Sequence, residues 1–512
     1  MLFHSPEYIA VFFPIVVSIY FFLMKTEKSL VGKIWLILAS LAFYGYWATA
    51  QFPIILFSVF FNFAIGQLCE NGKHKASRTQ YYWILFGVIV NLSLLGYFKY
   101  KNFVLHNLNN LFSSGFQLEK LILPLAISFF TFQQIGYLLD RYHGRIKNSN
   151  FIDYFLFVCF FPQFIVGPIV LYSELIPQFQ DKRNFRINKN NMILGVKAFA
   201  IGLVKKVYVA DVIADITSHL LLNPNHATTI EAWVLSAAFA VQVYFDFSSY
   251  SDMAIGSALF FNIRLPMNFN SPFQAKSMDQ LWRTWHITFH RVLLDFIYKP
   301  IVSSRYFHPS LVFFLALFMF FMAGLWHGAN WNYALFGVAH GFGWIVCRMW
   351  QQYGFVLPEW ISHILVFVWS SITSIIFRPA SLITSVTLYS KMFAFDKEGP
   401  LKIINIFPDM PFFTLNGVGT TQGDLLSPIN VLFFILVFSM TLMAPNSMEL
   451  IGFVERRKHT LFCRIQRIFE KGLVSCGLSV EKFYSIVYGM GFGFAFLKVI
   501  SMSPQEFFYF NF

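Results

Sequence analysis

The chain has 512 residues, of which 57% are hydrophobic, 20% are aromatic and only 12% are charged. This composition lies outside the range of soluble globular domains and predicts an all-α polytopic membrane protein. The net charge of +13 is dispersed in short clusters along the chain. Nucleic acid is therefore excluded as a partner, because its binding needs one dense basic face with interleaved aromatic residues.

Apolar stretches long enough to cross a bilayer recur along the whole sequence. The segment Met1 to Ala10 carries no lysine or arginine, so the first stretch is interpreted as a retained span rather than a signal peptide. We expect about 11 to 13 transmembrane or re-entrant helices plus amphipathic interfacial helices, since several stretches are short. The stretches are 8–24, 34–49, 52–68, 81–98, 121–139, 152–172, 191–211, 230–248, 310–326, 331–349, 361–377, 430–444 and 484–502.

Basic residues cluster at alternate ends of the early stretches. The positive-inside rule then places the N-terminus outside and these clusters in the cytoplasm. The next basic cluster, at 182–189, is also expected in the cytoplasm, so the segment 152–175 must enter and leave on one side and is predicted to be a re-entrant hairpin. The early clusters are Lys25, Lys28 and Lys33; Lys73, Lys75 and Arg78; and Arg141, Arg145 and Lys147.

We expect a single membrane domain over 1–512, multi-pass in a membrane and surrounded by lipid. Its candidate catalytic region is 243–341, and its basic segment 445–483 is expected to lie along cytoplasmic headgroups. No fixed-period repeat is visible. No G-x-x-x-x-G-K-[ST] phosphate loop and no G-x-S-x-G elbow occurs, which argues against an ATP-driven pump and a serine hydrolase.

The least ordinary stretch is 243–301, which begins VYFDFSSYSDMAIG and continues into DQLWRTWHITFHRVLLDFIYKP. A capping box at Ser277 and Gln280 and a stop at Pro300 predict one amphipathic helix over about 278–298, lying at or within the membrane. Its polar side is predicted to carry Arg283, His286 and His290. Its apolar stripe is predicted to comprise Trp282, Trp285, Phe289, Leu293 and Phe296.

Several polar residues of this stretch have two interpretations. His286 and His290 have the i, i+4 spacing of two metal ligands, but the glutamate of H-E-x-x-H is missing and no third ligand is evident, so no metal site is expected. Asp246 and Asp252 could orient an imidazole or accept a substrate hydroxyl. Helix capping and pairing with Arg264 or Arg283 explain them equally well.

His327 lies inside the apolar run 311–346, in the motif GLWHGANW at 324–331. Gly324 and Gly328 form a small-xxx-small pair, which predicts that another helix approaches closely on that side. A histidine here is either a hydrogen-bonding link between helices or a general base, since a partly desolvated neutral imidazole suits the activation of a hydroxyl. Spacing alone leaves both interpretations open.

In combination, several motifs of this chain resemble those of the membrane-bound O-acyltransferase (MBOAT) family, and within it the bacterial branch of alginate O-acetylation and teichoic-acid D-alanylation. The alginate-type members are the most similar, and the resemblance runs over nearly the whole chain. The motifs are YFKY at 97–100, LPLAISFFTFQQIGYLLD at 123–140, FPQFIVGPI at 161–169, FDFSSYSDMAIG at 245–256, WRTWHI at 282–287, GLWHGANW at 324–331 and FFYFNF at 507–512.

The resemblance implies an MBOAT-like fold, with His327 as the catalytic histidine and His286 as a second functional histidine that converges on it. His327 would be the general base on an acceptor hydroxyl. His286 would orient the acceptor or donate a hydrogen bond to the developing oxyanion. We expect the remaining substrate-binding residues to be Trp326, Asp246, Ser249, Asp252, Asn330 and Trp285.

The resemblance also implies an acetyl transfer without a bound cofactor, in the inner (cytoplasmic) membrane of a bacterium. Acetyl-CoA or another acyl thioester would be the cytoplasmic donor, and an exported polysaccharide or cell-wall glycan the acceptor, reached directly or through a separate extracytoplasmic transferase. Two alternatives stay open from the residues. One is the same chemistry on a lipid, a teichoic acid or a small metabolite, and the other is a non-catalytic channel in which the histidines line a polar path.

Overall fold

The computed structural model describes residues 1–25, 29–69, 77–379, 381–394, 425–455, 461–475 and 479–501. Several features noted in the sequence lie outside these ranges: Lys28, Lys73, Lys75, the basic residues 456–458 and the C-terminal FFYFNF. All regular elements of the described residues are helices, as the composition predicts.

The helices, numbered in chain order, are α1 Phe13–Lys25, α2 Ser29–Ala48, α3 Phe52–Leu68, α4 Arg78–Leu95, α5 Lys101–Phe112, α6 Ile127–Tyr142, α7 Phe151–Cys159, α8 Phe161–Phe164, α9 Tyr172–Gln180, α10 Lys189–Lys205, α11 Asp211–Leu222, α12 Thr229–Phe260, α13 Met278–Thr284, α14 Ile287–Leu293, α15 Lys299–Val302, α16 Val312–His327, α17 Trp331–Gln352, α18 Glu359–Phe377, α19 Leu382–Met392, α20 Pro428–Met443, α21 Ser447–Leu450, α22 Leu461–Ser475 and α23 Val480–Ser501. Within the described residues, four π-helical segments extend or join these helices: Tyr8–Phe12, Gly96–Tyr100, Lys206–Ala210 and Leu294–Tyr298.

Seven helical segments of the described residues are long and apolar enough to cross a membrane. One of them, Ser29–Leu68, is divided by the 3-10 turn Thr49–Gln51 into two stretches that the sequence predicts separately. Other predicted stretches form shorter or broken helices. For example, 152–172 contains α7, α8 and an extended segment rather than a continuous span.

Helix α12 forms the centre of the fold and is the most buried of the seven segments. It begins at a capping box in which Thr228 accepts from the backbone of Glu231 and the Glu231 carboxylate accepts from the backbone of Thr228. Helix α10 packs against it through glycines. A Cβ on Gly202 would lie 2.7 Å from the carbonyl oxygen of Ser249, so only glycine permits this backbone contact.

The segment from α7 to α9 folds back on itself, and its re-entry into the membrane stays a prediction. Its two ends meet, because Nε2 of Gln180 donates to Oδ2 of Asp153 at 2.9 Å. Lys33 pairs with the same carboxylate at 2.6 Å, which joins both ends to the start of α2. Residues 153–170 between these ends are buried, so the hairpin fills the interior of the bundle.

The predicted single helix over 278–298 is wrong. The chain forms α13, breaks at Trp285 and His286, and continues as α14, with His286 in the left-handed region at φ +42°. Backbone bonds to the preceding loop hold the break, since the amide of Ile287 donates to the carbonyl of Asn268 at 2.9 Å. A left-handed histidine costs free energy and persists only where its surroundings impose it.

The two predicted ends of this helix agree only in part with the structure. Ser277 caps the start, since its Oγ accepts from the backbone of Gln280 at 3.1 Å. The predicted capping box is not formed, because the side chain of Gln280 accepts from the backbone of Lys276 instead of Ser277. Pro300 does not stop the helical path, because it lies in the first turn of α15, where no backbone donor is required of it.

Candidate active site

His286 is buried, with 2% of its surface exposed, and is held by Asn268. Its Nδ1 lies 2.9 Å from Oδ1 of Asn268. The same oxygen accepts from the backbone N–H of Thr288 at 3.3 Å and from the hydroxyl of Thr288 at 2.9 Å. A second amide contact, from Nδ2 of Asn268 to Oγ of Ser251 at 3.3 Å, ties this group to α12.

These bonds assign the tautomer of His286. The backbone N–H of Thr288 must face an oxygen, so the amide of Asn268 presents its oxygen to the imidazole. Nδ1 of His286 therefore carries the proton and donates it, which leaves Nε2 with a lone pair. That Nε2 is buried and has no hydrogen-bond partner among the described residues.

Burial also keeps this imidazole neutral, because it lowers the pKa of His286 to about 3. A neutral ring with a bare Nε2 can accept a hydrogen bond but cannot donate one. This tautomer does not suit the expected role of His286 as an oxyanion donor, which stays a prediction. The other expected role, orienting an acceptor hydroxyl, fits this geometry.

His327 is the last residue of α16 and is 6% exposed. Its ring meets Phe377 edge-on, with centroids 5.0 Å apart. The ring of Trp326 packs near both histidines, with its centroid 4.9 Å from that of His327 and 5.7 Å from that of His286. The predicted convergence of the two histidines is confirmed.

The predicted close approach at GLWHG is confirmed as well, and the neighbour is α17. A Cβ on Gly324 would lie 2.1 Å from the carbonyl oxygen of Tyr333 and 3.1 Å from Cα of Gly337. A Cβ on Gly328 would collide with the Tyr333 ring at 2.3 Å. The two helices thus touch through their backbones just before His327, which fixes the position of its ring.

Two adjoining cavities meet at this site. The smaller, about 50 Å³, is lined by His327, Phe336, Phe377 and other mainly apolar residues. The larger, about 420 Å³, is lined by His286 at one part of its wall and by Arg283, His290 and Arg348 at others. Trp282 and Trp285 line both cavities and therefore stand between them.

A third histidine, His340 of α17, lines the cavity of His327 and is buried. The hydroxyl of Thr373 donates to the carbonyl of Trp369 at 3.0 Å, so its oxygen accepts from Nε2 of His340 at 2.9 Å. Sequence reasoning missed both His340 and Asn268. An ionisable residue inside the apolar stretch 331–349 is the signal that would have identified His340.

The sequence of the chain matches the model of the MBOAT, membrane-bound O-acyltransferase, family over residues 42–385. The chain belongs to this family. It is thereby an acyltransferase, and the multi-pass helical fold agrees with that assignment.

This acyltransferase is 34% identical to the peptidoglycan O-acetyltransferase of Helicobacter pylori, over 100% of the chain and 98% of that protein. It is 34% identical to the probable alginate O-acetylase AlgI of Pseudomonas aeruginosa, over 77% of the chain and 75% of that protein. The teichoic acid D-alanyltransferase of Streptococcus thermophilus is 24% identical, over 46% of the chain and 59% of that protein. The resemblance found in the motifs is confirmed.

In this acyltransferase the two aspartates expected to bind substrate form buried ion pairs. Asp246 pairs with Lys206 at 2.7 Å, and Asp252 pairs with Lys205 at 2.8 Å, so the expected partners Arg264 and Arg283 are wrong. Lys206 also pairs with Asp211 at 2.8 Å. The pairs join α12 to α10 and the segment that follows it, and neither aspartate lines the cavity of His327 or that of His286.

The other expected substrate residues divide into two groups. Trp285 lines both cavities, and Trp326 packs near both histidines with its ring stacked on Phe289 at 4.2 Å. Ser249 is buried on α12 and bonds the carbonyl of Asp246 at 2.7 Å. Asn330 caps α17 by accepting from the backbone of Asn332 at 3.3 Å. Neither Ser249 nor Asn330 lines either cavity.

Proposed function

We propose that this acyltransferase moves an acetyl group from a cytoplasmic thioester to hydroxyls of an exported polysaccharide or cell-wall glycan. The observation that carries the proposal is the pair of buried imidazoles, His286 and His327, set at the meeting point of two cavities. The names of the Helicobacter and Pseudomonas relatives support it, since both proteins are named for O-acetylation of a polysaccharide.

The sizes of the cavities favour a small acyl group. One water-sized group needs about 10–15 Å³, so the 50 Å³ cavity beside His327 takes only a few such groups. An acetyl group fits this volume and a fatty acyl chain does not. The apolar rings of Phe336 and Phe377 suit its methyl group.

The larger cavity favours a donor that carries phosphate. Arg283 and Arg348 line it together with His290, and guanidinium groups bind phosphate oxygens by paired hydrogen bonds. Coenzyme A thioesters have such phosphates. We therefore assign the donor to this cavity, with its thioester directed past Trp282 towards His327.

The chemistry follows from the protonation states. His327 takes the proton of the acceptor hydroxyl as its oxygen attacks the thioester carbonyl, and the collapsing intermediate expels the thiolate, which is protonated by the imidazolium. Nε2 of His286 accepts a hydrogen bond from the hydroxyl and orients it. The indole N–H of Trp282, buried and without a partner among the described residues, donates to the oxyanion.

The test is acyl transfer from radiolabelled acetyl-CoA to cell-envelope fractions, in membranes containing wild-type protein, His327→Ala or His327→Asn. We expect label in the glycan with wild type and at least about a hundredfold less with both variants. The matched control is His308→Asn, an exposed histidine that precedes the same helix. Wild-type activity in His327→Asn would contradict the catalytic role and favour a polar channel.

The distribution of label tests the acceptor, the partner and the location. Label in lipid, teichoic acid or soluble metabolites instead of glycan would overturn the proposed acceptor. Purified protein in vesicles, supplied with acetyl-CoA and glycan, should label the glycan only after extracytoplasmic proteins are added if a second transferase is required. We propose that the protein resides in the inner membrane of a bacterium, which fractionation of the same membranes checks.

A further inference from the structure

Lys99 is a buried lysine without a carboxylate partner among the described residues. It lies in the π-helical segment Gly96–Tyr100, between α4 and α5, and is 9% exposed. No carboxylate of the described residues forms an ion pair with it, whereas the buried Lys33 and Lys206 and the half-buried Lys205 all have one. Burying an unpaired charge is costly, so such a residue inside a membrane domain marks a specific requirement.

The ammonium of Lys99 is directed at the end of the helix that carries His327. Its Nζ donates to the carbonyl oxygen of Trp326, and to Oγ of Ser128 at 3.2 Å. The next residue, Tyr100, donates its hydroxyl to the carbonyl of Leu325 at 3.0 Å. Two consecutive side chains of the YFKY motif therefore bind two consecutive carbonyls directly before His327.

The end of α16 needs such donors. The last carbonyls of a helix have no partner within the helix, and they carry the negative end of its dipole. Gly328 is extended at φ −173°, so the helix stops abruptly after His327. A cation at this position stabilises the terminal turn, and the same interaction compensates the burial of the cation.

We propose that Lys99, assisted by Tyr100, is a positioning residue that fixes the last turn of α16 and thereby holds the ring of His327 in its cavity. This inference rests on the proposed acyl transfer. It also explains why three motifs that lie far apart in sequence meet at the end of α16. YFKY supplies the donors, Ser128 of LPLAISFF supplies a second acceptor, and GLWHG supplies the helix end.

The experiment compares Lys99→Met, Lys99→Arg and Tyr100→Phe with wild type in the labelled-acetyl assay, with kcat and the KM for acetyl-CoA measured separately. A displacement of the His327 ring by up to about one ångström lowers the rate of acetyl transfer by about ten- to hundredfold. We expect that loss in kcat for Lys99→Met, with KM unchanged, because Lys99 lines neither cavity. Lys99→Arg, which keeps a charged donor, should recover part of the rate, and Tyr100→Phe should lose a few-fold.

The matched control is Lys101→Met, which removes the same charge from the start of α5. Lys101 is more exposed and pairs with Glu119 at 2.8 Å, so wild-type kcat is expected. Thermal unfolding in detergent shows whether each variant is folded. If Lys99→Met does not fold, the inference is tested with Tyr100→Phe and Ser128→Ala. Each of these variants deletes one hydrogen bond of the group that holds the end of α16.

Three results would overturn the inference. One is a kcat within twofold of wild type in Lys99→Met. Another is a rise in the KM for acetyl-CoA with kcat unchanged. The third is a decrease in activity no larger than the decrease in the fraction of folded protein. Failure of wild type itself to transfer acetyl would instead refute the proposed function, so the two failures are distinguishable.

Discussion

Asn268 offers a direct test of how the active site sets the protonation of His286. Replacing it by alanine removes the oxygen that accepts from Nδ1 of His286 and from both donors of Thr288. Nothing then distinguishes the two neutral tautomers, and the one with a protonated Nε2 cannot accept from the acceptor hydroxyl. One neutral hydrogen bond contributes about 0.5–1.5 kcal/mol, which corresponds to about a two- to tenfold loss in kcat.

Aspartate at the same position separates the tautomer from the hydrogen bond. In Asn268→Asp the carboxylate still accepts from Nδ1, so kcat at neutral to alkaline pH should exceed that of Asn268→Ala. The negative charge also favours the imidazolium and raises the pKa of His286 above the value of about 3 set by burial. Activity should therefore fall on acidification in this variant at a pH where wild type is unaffected.

The assay is initial-rate acetyl transfer at several pH values, corrected for the folded fraction. Asn262→Ala is the matched control, because Asn262 is also a buried asparagine but bonds the carbonyls of Asn184 and Arg186 at 2.9 and 2.8 Å, away from both cavities. It should lose stability without losing kcat. If Asn268→Ala kept wild-type kcat, or if the pH profile of Asn268→Asp matched that of wild type, the tautomer argument would be refuted.

Three further predictions follow from buried groups. Trp282→Phe keeps a ring but deletes the indole N–H, so kcat should fall by about a hundredfold with KM little changed; equal kcat would remove Trp282 from the oxyanion site. Lys206→Met removes the buried cation that pairs with Asp211 and Asp246, and the free energy of unfolding should fall by about 3–5 kcal/mol, as measured by thermal unfolding. Adding Asp246→Asn should restore part of this loss, and no recovery would show that the charges act independently. The depressed pKa of His286, about 3 when folded against about 6.5 when unfolded, stabilises the fold above the unfolded pKa. The free energy of unfolding should decrease by about 2 kcal/mol as pH falls from about 7 to about 5. In a His286→Gln protein, the free energy of unfolding should depend less steeply on pH.

The sequence singled out His286 and His327, each of which lines one of the two cavities. His327 was noted because a titratable residue inside an apolar run is costly, and the role expected of His286 came from the resemblance to the family motif. Sequence reasoning failed where distant contacts override local pattern. The period of 3.6 residues in 278–298 predicted a continuous helix, but the loop around Asn268 bonds the backbone of Ile287 and breaks it. The residues 278–298 contain no pattern from which the contact with that loop could be predicted.

The ion pairs show the same limit. The residues Asp246 and Lys206 are 40 positions apart, and nothing in the spacing of either helix indicates that they meet. Glycine was more informative, since Gly324 and Gly328 predicted a close helix neighbour from residue size alone. Only the structure identified that neighbour as α17.

The tryptophan pair between the two cavities bears on the ion permeability of the membrane that contains this protein. Trp282 and Trp285 separate the space beside His327 from the space lined by the arginines. An aromatic barrier of this kind offers no hydration to a moving ion. We therefore expect vesicles containing the protein to retain an imposed proton gradient.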